Sequence, residues 1–246
     1  MDESLTGLEV LGGPEHFSTA HLITETEEPV DNLFCEKQMR LLTEPLWTSW
    51  KPGRPFWVSA NVGMYEALNA KAIVPDVMLA MDVQPADALA GGSKCYFFWD
   101  HGKPPEVVIE IVSNKNGSEL GTKLERYAKL RIATYAVMDP DHHLSAQTLR
   151  VFDLIQTTYQ PQAVAACHAT PVGLSLRLWD GLYEDTDSTW LRWADLTGNL
   201  IPTGKELAES EAQRATMEAH RASMEAQRAN RLAAKLRELG VDPDSV

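Results

Sequence analysis

The amino-acid sequence predicts an α/β fold that ends in a long polar helix. Residues 107–112 form a nearly continuous apolar run, which is typical of a central strand covered on both faces. An amphipathic helical stretch at 119–130 and a second strand at 134–138 follow, as in a βαβ-like unit with a right-handed crossover. Residues 211–231 then repeat every seven residues, which indicates a long helix.

The 246 residues divide into three parts by composition. Residues 1–30 contain seven acidic residues and no Lys or Arg, without sustained periodicity, and predict a poorly ordered acidic arm. Residues 31–204 have the length and the apolar content of one domain, and residues 205–246 form the C-terminal helix.

Shorter elements fill the rest of the domain. Residues 33–50 predict an amphipathic helix, disturbed at Pro45, with Leu33, Met39, Leu42 and Leu46 near helical spacing. Strand formers at 56–58 and 77–79 precede the central strand, and three segments after it predict further strands and hairpins: 149–154, 173–184 and 188–195. Trp179, Trp190 and Trp193 in these hairpins favour packing within a sheet over stacking on bases.

The C-terminal repeat leaves two interpretations open. Its alanines recur at alternating spacings of three and four residues, as in the core of a coiled coil: Ala212, Ala215, Ala219, Ala222, Ala226 and Ala229. Alanine buries little apolar area, so the seam would be weak. The alternatives are a solvated single helix held by Glu/Arg pairs and a coiled coil that joins two copies into a homodimer.

Charge and hydropathy narrow the function classes. A net charge of −13 argues against a free-standing DNA binder, although residues 31–204 account for only −5 of it. No apolar run approaches the roughly 20 residues that span a bilayer, and no basic segment precedes an apolar stretch at the N-terminus. The three cysteines are far apart, which predicts reduced thiols in a cytoplasmic protein.

Two carboxylates and a lysine stand out as candidates for chemistry. Glu110 interrupts the apolar central strand, where an ionised carboxylate is costly unless it is paired or binds a metal. Asp76 begins another apolar segment, so both oxygens could face one hard cation such as Mg²⁺, with the carbonyl of Ile111 as a third ligand. Lys123, on the following helix, could position water or stabilise phosphate charge.

A simpler interpretation of the same residues stays open. Glu110 could form a salt bridge with Lys123, and Asp76 could merely begin a turn. His142 and His143 follow a strand without a suitably spaced third ligand, so a surface turn is the expected structure there.

Two segments of the chain resemble the Uma2 (DUF820) family, which is abundant in cyanobacteria. They are PDVMLAMDV and PPEVVIEIVSNKNGSELGTKLERYAKLRIATYAVMDP, and the resemblance covers about residues 56–160. The shared pattern is Pro-Asp, then Glu-x-Val-Ser, then Lys and Tyr four apart, then a strand that ends in Asp-Pro. The chain departs from the family at Arg131-Ile132 and at Ala136, outside the proposed site.

The resemblance implies a restriction endonuclease-like fold of the PD-(D/E)XK type, with a mixed sheet flanked by helices. It also implies phosphodiester hydrolysis dependent on Mg²⁺ or Mn²⁺. By this resemblance, Asp76 and Glu110 are the metal ligands. Val112 stands at the position of the usual catalytic lysine, and Lys123 on the following helix takes over the role of that lysine. Lys115 is a weaker substitute for that lysine, and Glu36 is a candidate for the helix acid that assists the metal in related nucleases.

Two hypotheses follow. The first is a metal-dependent endonuclease that acts on nucleic acid, with DNA as the expected substrate. The second is a catalytically silent protein with a nuclease fold, which acts as a binding or assembly module through its C-terminal helix. The intact set of Asp76, Glu110 and Lys123 favours the first, and the acidic charge favours the second.

Overall fold

The fold is known from a computed structural model, which describes residues 32–84, 94–113, 118–163 and 168–240. The predicted N-terminal arm and Lys115 lie outside the described residues. The described helices are α1 (Leu33–Thr48), α2 (Phe98–His101), α3 (Thr122–Lys129) and α4 (Gly204–Glu238), with a 3-10 turn at Thr170–Val172. The strands are β1 (Phe56–Ala60), β2 (Met64–Tyr65), β3 (Val77–Met81), β4 (Tyr96–Phe97), β5 (Val107–Ile111), β6 (Thr134–Met138), β7 (Leu149–Ile155), β8 (Thr158–Pro161), β9 (His168–Ala169), β10 (Leu174–Tyr183) and β11 (Thr186–Ala194).

A mixed six-stranded sheet forms the centre, with strand order β1-β3-β5-β6-β7-β8. Strands β5 and β6 are parallel and α3 connects them, while the other neighbours in this sheet are antiparallel. A three-stranded sheet (β11-β10-β9) and a parallel pair (β2-β4) complete the described strands. The mixed sheet with flanking helices and a long C-terminal helix confirms the predicted fold class.

The two faces of the central sheet are covered by different elements. On one face, here called the α1 face, α1 and the three-stranded sheet pack against strand residues such as Leu79 and Ile109. On the opposite face, the α3 face, α3 packs against residues such as Val108, Tyr135 and Val137. Strand β5 is buried on both faces of the sheet, so apolar residues are favoured at successive positions along it. This explains the nearly continuous apolar run in the sequence.

The helix boundaries differ from the prediction in two places. Helix α3 begins at Thr122 rather than at residue 119, because the backbone N–H groups of Gly121 and Lys123 donate to the carbonyl of Ser118 and form a turn first. Helix α1 continues through Pro45 to Thr48. Leu33, predicted on its apolar side, is exposed, while the neighbouring Phe34 stacks on Trp190.

The tryptophans of the hairpin pack within the protein, as the sequence favoured. Trp190 and Trp193 are buried, and the Trp193 indole donates to the carbonyl of Leu42 in α1. The guanidinium of Arg192 lies over the Trp179 ring, 4.9 Å from its centroid. His142 and His143 lie in a turn whose backbone N–H groups donate to the Asp139 carboxylate.

The base of α4 is held firmly, and the rest of the helix is exposed. Thr203 and Glu206 form a reciprocal capping box, and Arg192 donates to both carboxylate oxygens of Glu206. The alanine stripe faces solvent in the single chain. Its pairing with a second copy therefore stays a prediction.

A buried glutamine joins α1 to the free edge of the three-stranded sheet. The Gln38 side chain accepts a hydrogen bond from the backbone N–H of Leu191 (2.9 Å) and donates to its carbonyl (2.8 Å). Both backbone groups would otherwise be buried without partners, because β11 has no strand beyond it in the described sheet.

Replacing Gln38 with Ala is expected to lower the free energy of unfolding by about 2–4 kcal/mol, because two buried backbone groups lose their partners. Chemical denaturation monitored by tryptophan fluorescence measures the change. Gln213→Ala, on the exposed part of α4, is the matched control and should change stability by no more than about 0.5 kcal/mol. Equal stability of the two variants would contradict this account.

Candidate active site

Asp76 and Glu110 meet at the end of the β3–β5 ladder. Val77 pairs with Ile109, so the antiparallel register brings Asp76 beside Glu110, on the α3 face of the sheet. The backbone N–H of Ile111 donates to Oδ2 of Asp76 at 2.6 Å. Asp76 therefore does more than begin a turn, because its carboxylate fastens the start of β3 to β5.

The carboxylate of Glu110 is almost completely enclosed, with 1% of the residue exposed. Its Oε1 accepts a short hydrogen bond from the Tyr127 hydroxyl, and its Oε2 accepts one from Nζ of Lys123 at 2.9 Å. Burial, followed by the charge of Asp76, raises the pKa of Glu110 to about 8, although Lys123 and Tyr127 oppose the rise.

Lys123 points toward the carboxylates from α3. Its Nζ also contacts Oε1 of Glu119 at 3.2 Å, and about a third of the side chain is exposed. Burial by itself would lower the pKa of Lys123, but the adjacent Glu110 outweighs it, and the pKa lies above its ordinary value. The ammonium therefore stays charged. The salt bridge between Glu110 and Lys123 that the simpler interpretation expected is present. That interpretation did not expect the Asp76 carboxylate beside Glu110.

Two further residues belong to this cluster and were not among the predicted site residues. Tyr127 lies one helical turn after Lys123, so both side chains reach Glu110 from the same face of α3. Glu119 lies four residues before Lys123 and is buried, and its Oε2 finds no hydrogen-bond partner in the described part of the chain. The four-residue spacing of Glu119, Lys123 and Tyr127 was the available signal in the sequence.

The predicted third donor, the carbonyl of Ile111, lies on the same side of β5 as Asp76. The N–H and C=O of one strand residue point to the same side, and the N–H of Ile111 reaches Asp76. Strand β3 begins at Val77, so the regular ladder has ended at this level. The carbonyl is thus placed where a ligand between the two strands would meet it.

The oxygen donors at this site suit a hard divalent cation. The Lys123 ammonium contacts Glu110 and Glu119, Asp76 also acts on it electrostatically, and one buried oxygen of Glu119 lacks a partner among the described residues. No group of three or more His, Cys, Asp or Glu residues within residues 32–84, 94–113, 118–163 and 168–240 is arranged to hold a metal by itself. A cation here would thus be held by two carboxylates, with a backbone carbonyl and water completing its shell.

Glu36 does not join this site, which corrects the proposal of a helix acid on α1. It pairs with Arg40, which also contacts Glu184 in the β10–β11 turn. Helix α1 covers one face of the central sheet, whereas Glu110 projects from the other with its neighbours Val108 and Val112. Local sequence could not reveal the error, because the face that a helix covers is set by tertiary packing.

The raised pKa of Glu110 gives the stability of the protein a defined pH dependence. The folded pKa of about 8 exceeds the ordinary value of 4.5, so the folded protein keeps a proton that the unfolded chain releases. Without divalent metal, each unit by which the pH rises between these two values is expected to lower the free energy of unfolding by at most about 1.4 kcal/mol through this group.

Unfolding in denaturant with EDTA, repeated across this pH range, measures the effect. The stability of Glu110→Gln relative to the unaltered protein should rise with pH, whereas Glu125→Gln, an exposed acid of α3, should follow the unaltered protein throughout. A constant difference between Glu110→Gln and the unaltered protein would mean that Glu110 has an ordinary pKa.

Comparison with known proteins places the chain in a family. The profile of the Uma2 family, described as "Putative restriction endonuclease", matches residues 29–181, beyond both ends of the segment first recognised. No curated protein matches. A crystal structure described as "a putative nuclease belonging to DUF820", from Anabaena variabilis, is similar at 16% identity and a TM-score of 0.39, over 55% of this chain and 70% of that one. Since the profile covers more than half of the sequence, the chain belongs to the Uma2 family.

Proposed function

We propose that the protein is a Mg²⁺- or Mn²⁺-dependent endonuclease that hydrolyses phosphodiester bonds, with DNA as its substrate. The observation that carries the proposal is the convergence of Asp76, Glu110 and Lys123 from β3, β5 and α3. Each comes from a different part of the chain, and a cluster of buried charges is costly unless it serves a ligand or a reaction.

The carboxylates of Asp76 and Glu110 would hold the cation, together with the carbonyl of Ile111. When bound, such an ion makes a coordinated water more acidic and offsets negative charge on the phosphate. The raised pKa of Glu110 fits this role, because an excess of negative charge in a dry site favours binding of either a proton or a metal.

Lys123 would act on the phosphate and on water. Its pKa keeps it charged, and the contacts with Glu110 and Glu119 fix its ammonium at the edge of the acidic cluster. There it would orient the attacking water and stabilise the charge that grows on the phosphate oxygens during attack. Tyr127 is a positioning residue in this scheme, because its hydroxyl holds the Glu110 carboxylate.

The other features fit this proposal without deciding it. No helix in the described part of the chain is long and apolar enough to cross a membrane. Cys35 and Cys95 are buried thiols rather than disulfide halves, which suits a reducing compartment, and we expect the cytoplasm. Many nucleases of this fold pair up to cut both strands of DNA, so a homodimer is the expected assembly.

A second candidate function is binding or assembly through α4, without hydrolysis. The observation that favours it is the long, mostly exposed stretch of α4 beyond its base. The acidic charge of the chain also suits this alternative.

Cleavage of plasmid DNA in Mg²⁺ or Mn²⁺ is the direct measurement. Asp76→Asn and Glu110→Gln are each expected to reduce the cleavage rate by at least about 100-fold, and Lys123→Met by roughly 100-fold, because each removes charge from the reacting centre. Glu125→Gln and Lys129→Met are matched controls, since they neutralise exposed charges on the same helix. Both controls should retain full activity.

The outcomes separate the two candidates. Equal cleavage by every variant would identify a contaminating nuclease. Failure of the unaltered protein to cut DNA or RNA with either metal would reject hydrolysis and leave the assembly function.

Binding of the cation can be measured without activity. Saturating Mn²⁺ at pH 8 is expected to raise the melting temperature by about 5 °C, because an ion that binds only the folded state stabilises it. The shift should shrink near pH 5.5, where protons occupy Glu110, and disappear in Asp76→Asn. Glu125→Gln should shift like the unaltered protein, and an equal shift in Asp76→Asn would place the cation elsewhere.

A further inference from the structure

Arg150 lies in the same cross-strand row as Glu110. In the central sheet, Glu110 of β5 pairs with Val137 of β6, and Val137 pairs with Arg150 of β7. Residues directly opposite each other project from the same face, so Arg150 shares the α3 face with the acidic cluster. With neighbouring strands about 4.8 Å apart, the backbones of Arg150 and Glu110 are separated by roughly 10 Å.

The guanidinium of Arg150 has no anionic partner in the part of the chain that the structure describes. Its Nε is buried and finds no hydrogen-bond acceptor there. Neighbouring cations are engaged, since Lys123 contacts Glu110 and Glu119, while Arg126 and Arg131 donate to backbone carbonyls. A partly buried cation without a counter-charge is unfavourable, which indicates a site for an anion.

A cavity of about 410 Å³ adjoins this residue, between the start of β7 and the end of β8. Gln147 and Gln162 line it beside Arg150, and Phe152 forms part of the wall. None of its described lining residues is acidic, although the whole chain carries a net charge of −13. Asp139, the acid that follows β6, is committed to the backbone N–H groups of the turn after it. Among its described lining residues, the only charged side chain is therefore the positively charged Arg150, although the protein as a whole is acidic.

We infer that Arg150 and this cavity bind a backbone phosphate of the nucleic acid, away from the phosphate that is cut. The inference rests on the proposed function, because it uses the position of Arg150 relative to the acidic cluster. A guanidinium binds phosphate oxygens through two parallel hydrogen bonds. Arg150 is thus a substrate-positioning residue, which holds the strand while a neighbouring bond lies at Asp76, Glu110 and Lys123.

The test measures binding and cleavage separately. Fluorescence anisotropy with labelled duplex DNA, and with single-stranded DNA and RNA, gives the affinity of the unaltered protein and of Arg150→Met in EDTA. The same pair is measured in Mg²⁺ in the Glu110→Gln background, where cleavage is not expected. Arg150→Met should weaken binding about tenfold, and the slope of log affinity against log salt should fall by about 1, as for one lost phosphate contact.

Two further variants guard against unfolding and against a general charge effect. Arg150→Lys keeps the charge without the paired hydrogen bonds, so it should restore the salt slope and only part of the affinity. Arg177→Met removes an exposed arginine from β10 and should leave binding unchanged. Melting temperatures of all variants check that each is folded.

Each outcome decides the inference. If Arg150→Met and Arg177→Met bind nucleic acid like the unaltered protein, with the same salt slope, the inference is overturned. If the unaltered protein binds no nucleic acid in any of these conditions, it is overturned together with the proposed function. If Arg150→Met weakens binding but the unaltered protein never cleaves, Arg150 keeps its role and only hydrolysis is rejected.

Discussion

The site depends on one unfavourable placement, a carboxylate in the middle of a buried strand. Glu110 has apolar neighbours on both sides along β5, and it is tolerated because Tyr127 and Lys123 reach it from α3. Asp76 adds a second negative charge nearby, which disfavours the ionised form of Glu110 further and helps to raise its pKa. A structure selected for stability alone would place an apolar residue at this position.

The sheet turns this local conflict into a site by separating its two faces. The α1 face is closed by α1 and by the three-stranded sheet, and their buried apolar side chains form one core with it. The α3 face is covered by the short α3 and by residues such as Met64 and Tyr96 of the β2–β4 pair. Glu110 is enclosed there, while Asp76 and Lys123 stay partly exposed. Alternation along the strands then sends Glu110, Asp76 and Arg150 to this face together.

The sequence was sufficient where a residue conflicted with its local pattern. A glutamate within an apolar strand is visible without coordinates, and so are the strand-helix-strand unit and the heptads of α4. It was insufficient where tertiary packing decides. Glu36 looked like a plausible helix acid but lies on α1, across the sheet from Glu110, and Gln38 gave no sign that it closes the edge of a second sheet. Glu119 resembled an ordinary surface acid, because the turn that buries it depends on the carbonyl of Ser118.

Helix α4 has an electrostatic consequence for the rest of the molecule. Its 35 residues extend for about 52 Å at 1.5 Å per residue, and only the first turns touch the globular part. At physiological ionic strength, charges are screened over about 8 Å, so the distal half of the helix lies several screening lengths from its own base. A protein that binds this distal half, or a substitution within it, can therefore alter the surface of the helix without changing the electrostatic potential near the central sheet.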